Sequence, residues 1–264
     1  MDPQIFVELI INILHFAVLM AAIVVATKKS KEYRGLFVTY YVFALLALAL
    51  EDVYWIAYDY IRPDERMPFA ANEIACSAFL LMIGAAMATK VDKNLPGKTR
   101  EFIFSFIYMG VNAALWIAWS GQWLENIIFA VPYVYYLYYL VRGLRSTKVI
   151  NVIEEGLFIA INIIVFVMYG FALVTSESTT ELLYNIGYVI IFALWLYILV
   201  KFVRLRGQED IGDKAVFLSF ALLLWSMLVV YMSYGVFYSI ALIFTIVAIP
   251  VTLNAVLISA DTES

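Results

Sequence analysis

The chain has 264 residues, of which 65% are hydrophobic and 14% are charged, and its net charge is -4. Soluble domains contain about 45–50% apolar and about 25% charged residues, so this composition excludes an ordinary soluble domain and indicates an integral membrane protein. The negative charge gives no support for a nucleic-acid partner. The single cysteine, Cys76, and the single histidine, His15, exclude a disulfide framework and a thiolate metal cluster.

Apolar runs of about 20 residues predict helices that cross a bilayer. The predicted fold class is an all-α polytopic integral membrane protein, in which residues 1–264 form one transmembrane bundle with no soluble domain. The predicted segments are 5–27, 36–61, 69–89, 102–119, 124–141, 152–174, 182–200, 215–234 and 237–259. The stretches "WSGQW" and "SYGVFYS" are predicted to be tight turns, because merging the helices on either side would give a run of about 40 residues, too long for one crossing.

The basic residues predict the orientation of the bundle. Fifteen of the 17 lie in or beside four alternate connections, "TKKSKEYR", "TKVDKNLPGKTR", "VRGLRSTK" and "KFVRLRGQEDIGDK". The positive-inside rule places these connections in the cytoplasm. Nine crossings then put the N-terminus outside and the C-terminus in the cytoplasm, as expected for a multi-pass protein of the cell membrane.

Acidic residues are concentrated on the predicted outer side. Eleven of the 21 acids fall there, against two basic residues, Arg62 and Arg66. The stretch "LEDVYWIAYDYIRPDER" alone contributes five of these acids, and its first three lie within the second segment. A charged side chain at membrane depth faces the bundle interior or a water-filled cavity, because exposure to hydrocarbon is costly.

Helical spacing groups these acids with aromatic residues. In the first segment, a glutamate, an asparagine and the histidine follow one another at i, i+4 and i+7, which places them on one helix face. In the second segment one acid shares a face with two aromatic side chains, and two further acids share the adjacent face. An outward-open polar vestibule between segments 1, 2 and 3 is therefore predicted, with a ligand-binding set of Glu8, Asn12, His15, Glu51, Asp52, Trp55, Tyr58, Asp59 and Glu73.

The acidic vestibule predicts a small cationic ligand. Carboxylates with low-dielectric walls concentrate cations, and a tryptophan face adds cation–π attraction. An amine with Glu51 or Asp52 as counter-ion and Trp55 as the aromatic face is the expected ligand, or else a proton. No metal and no cofactor is predicted. In the structural alternative, Glu51 and Asp52 only pair with Arg62, Arg66 or tyrosine hydroxyls and hold helices together.

Three classes of function are compatible with this pattern. The first is a membrane-embedded ligand-binding or sensor-type module that acts through a cytoplasmic or membrane signalling partner. The second is a secondary transporter for a small cation or amine, and the third is an intramembrane lipid-modifying enzyme. No catalytic residues are predicted, because the sequence contains no nucleophile–base pattern. The paired Glu154 and Glu155 are interpreted as helix-capping residues.

Overall fold

The structure is a computed structural model that describes residues 3–33, 35–61, 71–92, 97, 99–206, 211–233 and 235–261. Side chains are described for all of these residues except 3–5, 58–61, 71, 231 and 232. Within this part of the chain the secondary structure is entirely helical. The helices are α1 (Pro3–Tyr33), α2 (Leu36–Ile61), α3 (Ala71–Val91), α4 (Thr99–Ser120), α5 (Trp123–Ser146), α6 (Val152–Ala172), α7 (Glu177–Leu205), α8 (Gly212–Met232) and α9 (Gly235–Asp261).

Each predicted segment coincides with one of these nine helices. All nine are long and apolar enough to cross a membrane, which confirms a multi-pass helical membrane bundle. Helix α7 extends five residues beyond its predicted segment at each end, and the largest shift of a single boundary is at α1, which continues to Tyr33, six residues beyond the predicted segment. The apolar run predicted the part inside hydrocarbon, whereas the lysine-rich residues that follow have good helix propensity and extend the same helix.

Consecutive helices pack against one another except for α3 with α4 and α5 with α6, which make few contacts, and α8 is the most enclosed helix. Helix α2 lies between α1 and α3, α9 packs against α1 and α8, and α5 contacts α3, α4 and α8. The α6–α7 hairpin joins the bundle mainly through contacts between α7 and α8. The main core therefore lies among α1, α2, α3, α5, α8 and α9, and α6 lies at its edge.

The predicted tight turn between α4 and α5 is present, whereas the one between α8 and α9 includes Tyr234, which lies outside the described residues. The α4–α5 turn is centred on Gly121, whose φ of +73° favours glycine because a Cβ would be strained there. Asn126 fastens this turn, since its Nδ2 donates to Ser120 Oγ at 2.7 Å and to the Gln122 carbonyl at 2.5 Å. At the start of α9, Gly235 has a φ of +58°.

The predicted cap of α6 is confirmed for Glu154. The Asn151 side chain accepts a hydrogen bond from the Glu154 backbone amide, and the Glu154 carboxylate accepts one from the Asn151 amide, both at 2.9 Å. These reciprocal bonds form a capping box. Glu155 instead pairs with Arg145 of α5.

Candidate functional site

The centre of the candidate site is a buried hydrogen-bonded pair of side chains, one from α1 and one from α2. His15 Nδ1 lies 2.9 Å and 2.7 Å from the two carboxylate oxygens of Asp52. The side chains of His15 and Asp52 are 4% and 9% exposed. His15 Nε2 is also buried, and no described residue forms a hydrogen bond with it. The imidazole is thus held on one side and has an unused polar atom on the other.

Glu51, the residue next to Asp52, extends the site toward α3. It interacts with the Cys76 thiol of α3, and Cys76 in turn interacts with Tyr133 of α5. Its carboxylate also lies within electrostatic range of Asp52 and Glu73. The Glu51 Oε2 atom is buried without a hydrogen-bond partner among the described residues. A buried oxygen that lacks a donor is uncommon in native structures, and its presence here requires an explanation.

The helix faces that carry these groups are buried stripes. On α1, the buried Asn12 and His15 continue into Leu19, Ala22 and Ala26 at three- and four-residue spacing. On α2 the corresponding stripe is Tyr41, Leu45, Leu48 and Asp52. Each stripe has apolar residues in one part and a polar group at its other end. Packing α1 against α2 along these stripes therefore brings the imidazole and the carboxylate together.

The pairing of His15 with Asp52 was not predicted, although the sequence contains a signal for it. His15 lies 18 residues before the end of α1, and Asp52 lies 16 residues after the start of α2. Antiparallel helices joined by a short loop place residues that are equally far from the loop at about the same depth. Cys76 was also missed as a site residue, because a lone thiol has no pattern of its own.

The other residues of the predicted site are distributed around this pair. Glu8 and Glu73 are half-buried, and Asn12 is buried beside His15 on the α1 stripe. Trp55 is half-buried, and its ring packs edge-on against Tyr54 with centroids 5.8 Å apart. The side chains of Tyr58 and Asp59, and the whole of Arg62 and Arg66, lie outside the described residues. A shared vestibule therefore stays a prediction, and so does the role of these residues in binding.

The opposite end of the bundle carries ion pairs formed by basic residues that the sequence analysis used only to predict the orientation. Lys90 is buried, with Nζ 2.8 Å from Ser259 Oγ, 3.4 Å from Asp213 Oδ1 and 4.6 Å from the Phe37 ring centroid. Buried Arg142 donates to Asp92 Oδ1 at 2.6 Å. These pairs join helices that are distant in the sequence, so they tie the ends of α3, α5, α8 and α9 together.

Two further ion pairs hold the α6–α7 hairpin at the same end. Arg145 Nε donates to Glu155 Oε1 at 3.1 Å, and Lys201 Nζ donates to Glu154 Oε1 at 2.6 Å. Glu154 also accepts a hydrogen bond from the Tyr197 hydroxyl. The first pair connects α5 to α6, and the second connects α6 to α7. One end of the bundle is therefore cross-linked by paired charges, whereas the other contains a carboxylate-rich cluster with the sole imidazole.

The chemistry available at the His15–Asp52–Glu51 cluster is the binding or release of positive charge. Two adjacent carboxylates and one imidazole, all within a bundle of apolar helices, respond strongly to a cation or a proton because the surroundings screen charge poorly. No three described His, Cys, Asp or Glu residues are arranged to hold a metal ion.

The fold and this cluster define the class: a helical, multi-pass membrane bundle with a buried ionisable group between its first helices. No protein-family model, no curated protein and no solved structure matches the chain.

Proposed function

We propose that this protein is a membrane-embedded sensor-type module whose ligand is a small organic cation held by Glu51. The observation that carries the proposal is the buried Oε2 atom of Glu51, which has no hydrogen-bond partner among the described residues. An ammonium group would supply the missing donor and the missing positive charge together. Asp52 is already paired with His15, so Glu51 is the better counter-ion.

Local electrostatics support a cation rather than an anion. Glu51 interacts with Asp52 and Glu73, and both are acids that raise the cost of its negative charge. Ionisable groups at membrane depth serve most often in ligand or ion pathways. Trp55 follows Glu51 by one helical turn, on the same face of α2, and is half-buried. Its ring adds cation–π attraction of about 0.5–2 kcal/mol for an amine that reaches it.

The proposed orientation places the cluster on the outer side of the cell membrane. Its support is the positive-inside rule, because 15 of the 17 basic residues belong to the four alternate connections assigned to the cytoplasm. An odd number of crossings then connects an outer ligand to a cytoplasmic C-terminus, where a separate signalling partner would read the change. Cysteine-accessibility labelling in a Cys76-substituted background tests the orientation. Labelling of a cysteine at position 178 from the cytoplasm would contradict it.

A ligand screen by thermal shift tests the binding proposal. The purified protein is heated with organic amines, with the same counter-anions as sodium salts, and with divalent metal chlorides. Amines are expected to raise the unfolding temperature of the wild type and of Glu181→Gln, a control in which an exposed carboxylate at the start of α7 loses the same charge. Glu51→Gln is expected to lose the response. Stabilisation by anions alone, or an unchanged response in Glu51→Gln, would show that the proposal is wrong.

Transport of the same cation is a second candidate, and Pro132 is the observation that favours it. Pro132 lies inside α5 next to Tyr133, which interacts with Cys76 of the cluster. Proline removes a helix hydrogen bond, and interrupted helices near the binding site are common in transporters. Uptake of a radiolabelled amine into proteoliposomes separates the two functions. A sensor binds the amine without carrying it into the vesicles, whereas a transporter moves it into the vesicle lumen, down or against its concentration gradient.

A further inference from the structure

A second candidate site lies on the other side of the bundle, away from the His15–Asp52 pair. A cavity of about 370 Å³ is bounded mainly by α4, α5, α6 and α8. Ligand cavities in proteins typically measure about 300–1,000 Å³, so this volume is sufficient for part of a small molecule. Its wall is apolar apart from four residues, which are Tyr108, Arg145, Glu155 and Asn162.

Two of these polar residues are hydrogen-bonded to each other. The Tyr108 hydroxyl donates to Asn162 Oδ1 at 2.9 Å, and Asn162 Nδ2 donates to the Phe158 carbonyl at 2.8 Å. Both residues lie deep in the cavity, away from the helix ends. The deep part of the cavity therefore offers apolar contacts, and its polar groups need no hydrogen bond from a bound molecule.

The polar end of the cavity has an unused donor. Glu155 accepts hydrogen bonds from Nε and Nη2 of Arg145. Arg145 Nη1 lies 3.7 Å from Glu101 Oε1, which is too long for a hydrogen bond. Nη1 is buried and has no hydrogen-bond partner among the described residues. The guanidinium thus has a donor left for an oxygen of a bound molecule.

The length of the cavity matches one leaflet of a bilayer. Its wall follows α6 from Glu155 to Phe166, about 16 Å at 1.5 Å per residue, and α5 from Leu137 to Arg145, about 12 Å. Half of a hydrocarbon core about 30 Å thick is about 15 Å. Arg145 and Glu155 lie next to the α5–α6 connection, so the polar end falls at the surface of the leaflet and the apolar end near the middle of the membrane.

The side of the cavity opens onto the lipid-facing surface. Ile107 of α4 and Ile163 of α6 both line the cavity, yet their side chains are 59% and 55% exposed. Helix α6 packs mainly on α7 and makes few contacts with α4, which leaves a gap between α4 and α6. Water is a poor occupant of such a space, because a stable buried water needs two to four polar partners.

We infer that this cavity binds one acyl chain of a membrane phospholipid from the leaflet next to the α5–α6 connection. The chain lies along α6, and Arg145 Nη1 donates to a phosphate or ester oxygen of the same lipid. The inference is independent of the proposed cation site, because none of the residues that line the cavity belongs to α1, α2 or α3.

Photo-crosslinking tests this inference. The protein is reconstituted into vesicles of phosphatidylethanolamine and phosphatidylglycerol that contain a phosphatidylcholine with a diazirine on one acyl chain, and labelled residues are mapped by mass spectrometry. Adducts are expected on Leu224 and Trp225 of α8, which line the cavity. Leu224 is 3% exposed, so a chain on the outer surface would not reach it. Labelling confined to exposed residues, spread evenly over all helices, would overturn the inference.

Matched variants add a second test. Ile163→Trp fills the cavity mouth from α6, whereas Ile164→Trp places the same side chain on a neighbouring residue that is 53% exposed and does not line the cavity. Ile107→Trp and Ile103→Trp form the equivalent pair on α4. Labelling of Leu224 is expected to fall at least fivefold in the two cavity variants and to stay unchanged in the two controls. Equal labelling in all four would overturn the inference, and the wild-type adduct map decides it if a cavity variant does not fold.

Discussion

The Arg142–Asp92 pair predicts an asymmetry that an unfolding experiment can measure. The Arg142 side chain is 4% exposed and that of Asp92 is 51% exposed, although the two atoms that pair are 2.6 Å apart. The Tyr139 hydroxyl also donates to Asp92, at 3.0 Å. Asp92→Ala therefore takes the Asp92 carboxylate away from a buried guanidinium, whereas Arg142→Met leaves a carboxylate that water can reach.

The magnitudes follow from burial. Removing one partner of a buried ion pair costs about 3–5 kcal/mol, and the half-exposed carboxylate reduces this to about 2–3 kcal/mol. Asp92 follows the last residue of α3, where an acid opposes the helix dipole, so its removal returns about 0.3–1 kcal/mol. Asp92→Ala should thus lower the free energy of unfolding by about 2 kcal/mol. Arg142→Met should lower it by about 1 kcal/mol, mainly through lost contact with the rings of Tyr138 and Tyr139.

Equilibrium unfolding in mixed micelles of a mild detergent and dodecyl sulfate measures both values in one assay. The double variant Asp92→Ala, Arg142→Met should be no less stable than Asp92→Ala alone, because it no longer buries a guanidinium that has lost its Asp92 carboxylate. A larger loss in Arg142→Met than in Asp92→Ala would refute the reasoning, since both variants lose the same attraction and the buried guanidinium would then carry no net cost.

Three further changes test other parts of the structure in the same assay. Gly143→Ala should lower the free energy of unfolding by about 1–3 kcal/mol, because its Cβ would lie 2.0 Å from the buried Phe217 ring. Gly156→Ala is the control and should be neutral or stabilising, because its Cβ would meet no atom within 4 Å. Equal effects would show that the contact between Gly143 and Phe217 does not constrain the helices. Asn151→Ala should cost about 1 kcal/mol by removing the cap of α6, and a change below experimental error would contradict the capping box. Without ligand, Glu51→Gln should leave the protein as stable as the wild type or more stable, because it replaces an acid next to Asp52 by a neutral amide of the same shape. A large loss of stability would show that Glu51 is a structural residue.

The helices could be predicted because hydropathy alone determines them. A run of about 20 apolar residues crosses a bilayer in almost any context, so all nine segments coincide with helices. The turn at Gly121 and the capping role of Glu154 were also predicted, since each depends on a few neighbouring residues, whereas the N-cap residue Asn151 was not.

Contacts between helices were harder to predict. His15 and Asp52 lie 37 positions apart, and their contact depends on the relative rotation and depth of α1 and α2. The pairing of Lys90 with Asp213 depends in the same way on the relative positions of α3 and α8. Spacing within one helix gave the face of each residue, but it could not show which face of another helix lies opposite.

The position of α6 at the edge of the bundle has a consequence for how freely its sequence can vary. Three of its residues are buried, Val165, Tyr169 and Ala172, and they follow one another at four- and three-residue spacing near one end. Nine of the other 18 residues of α6 are exposed on the surface that would face hydrocarbon, where one apolar residue replaces another at little cost. A saturation-mutagenesis profile of α6 should therefore accept nearly any apolar residue at these exposed positions, with sensitive positions on the face that packs against α7 and lines the cavity.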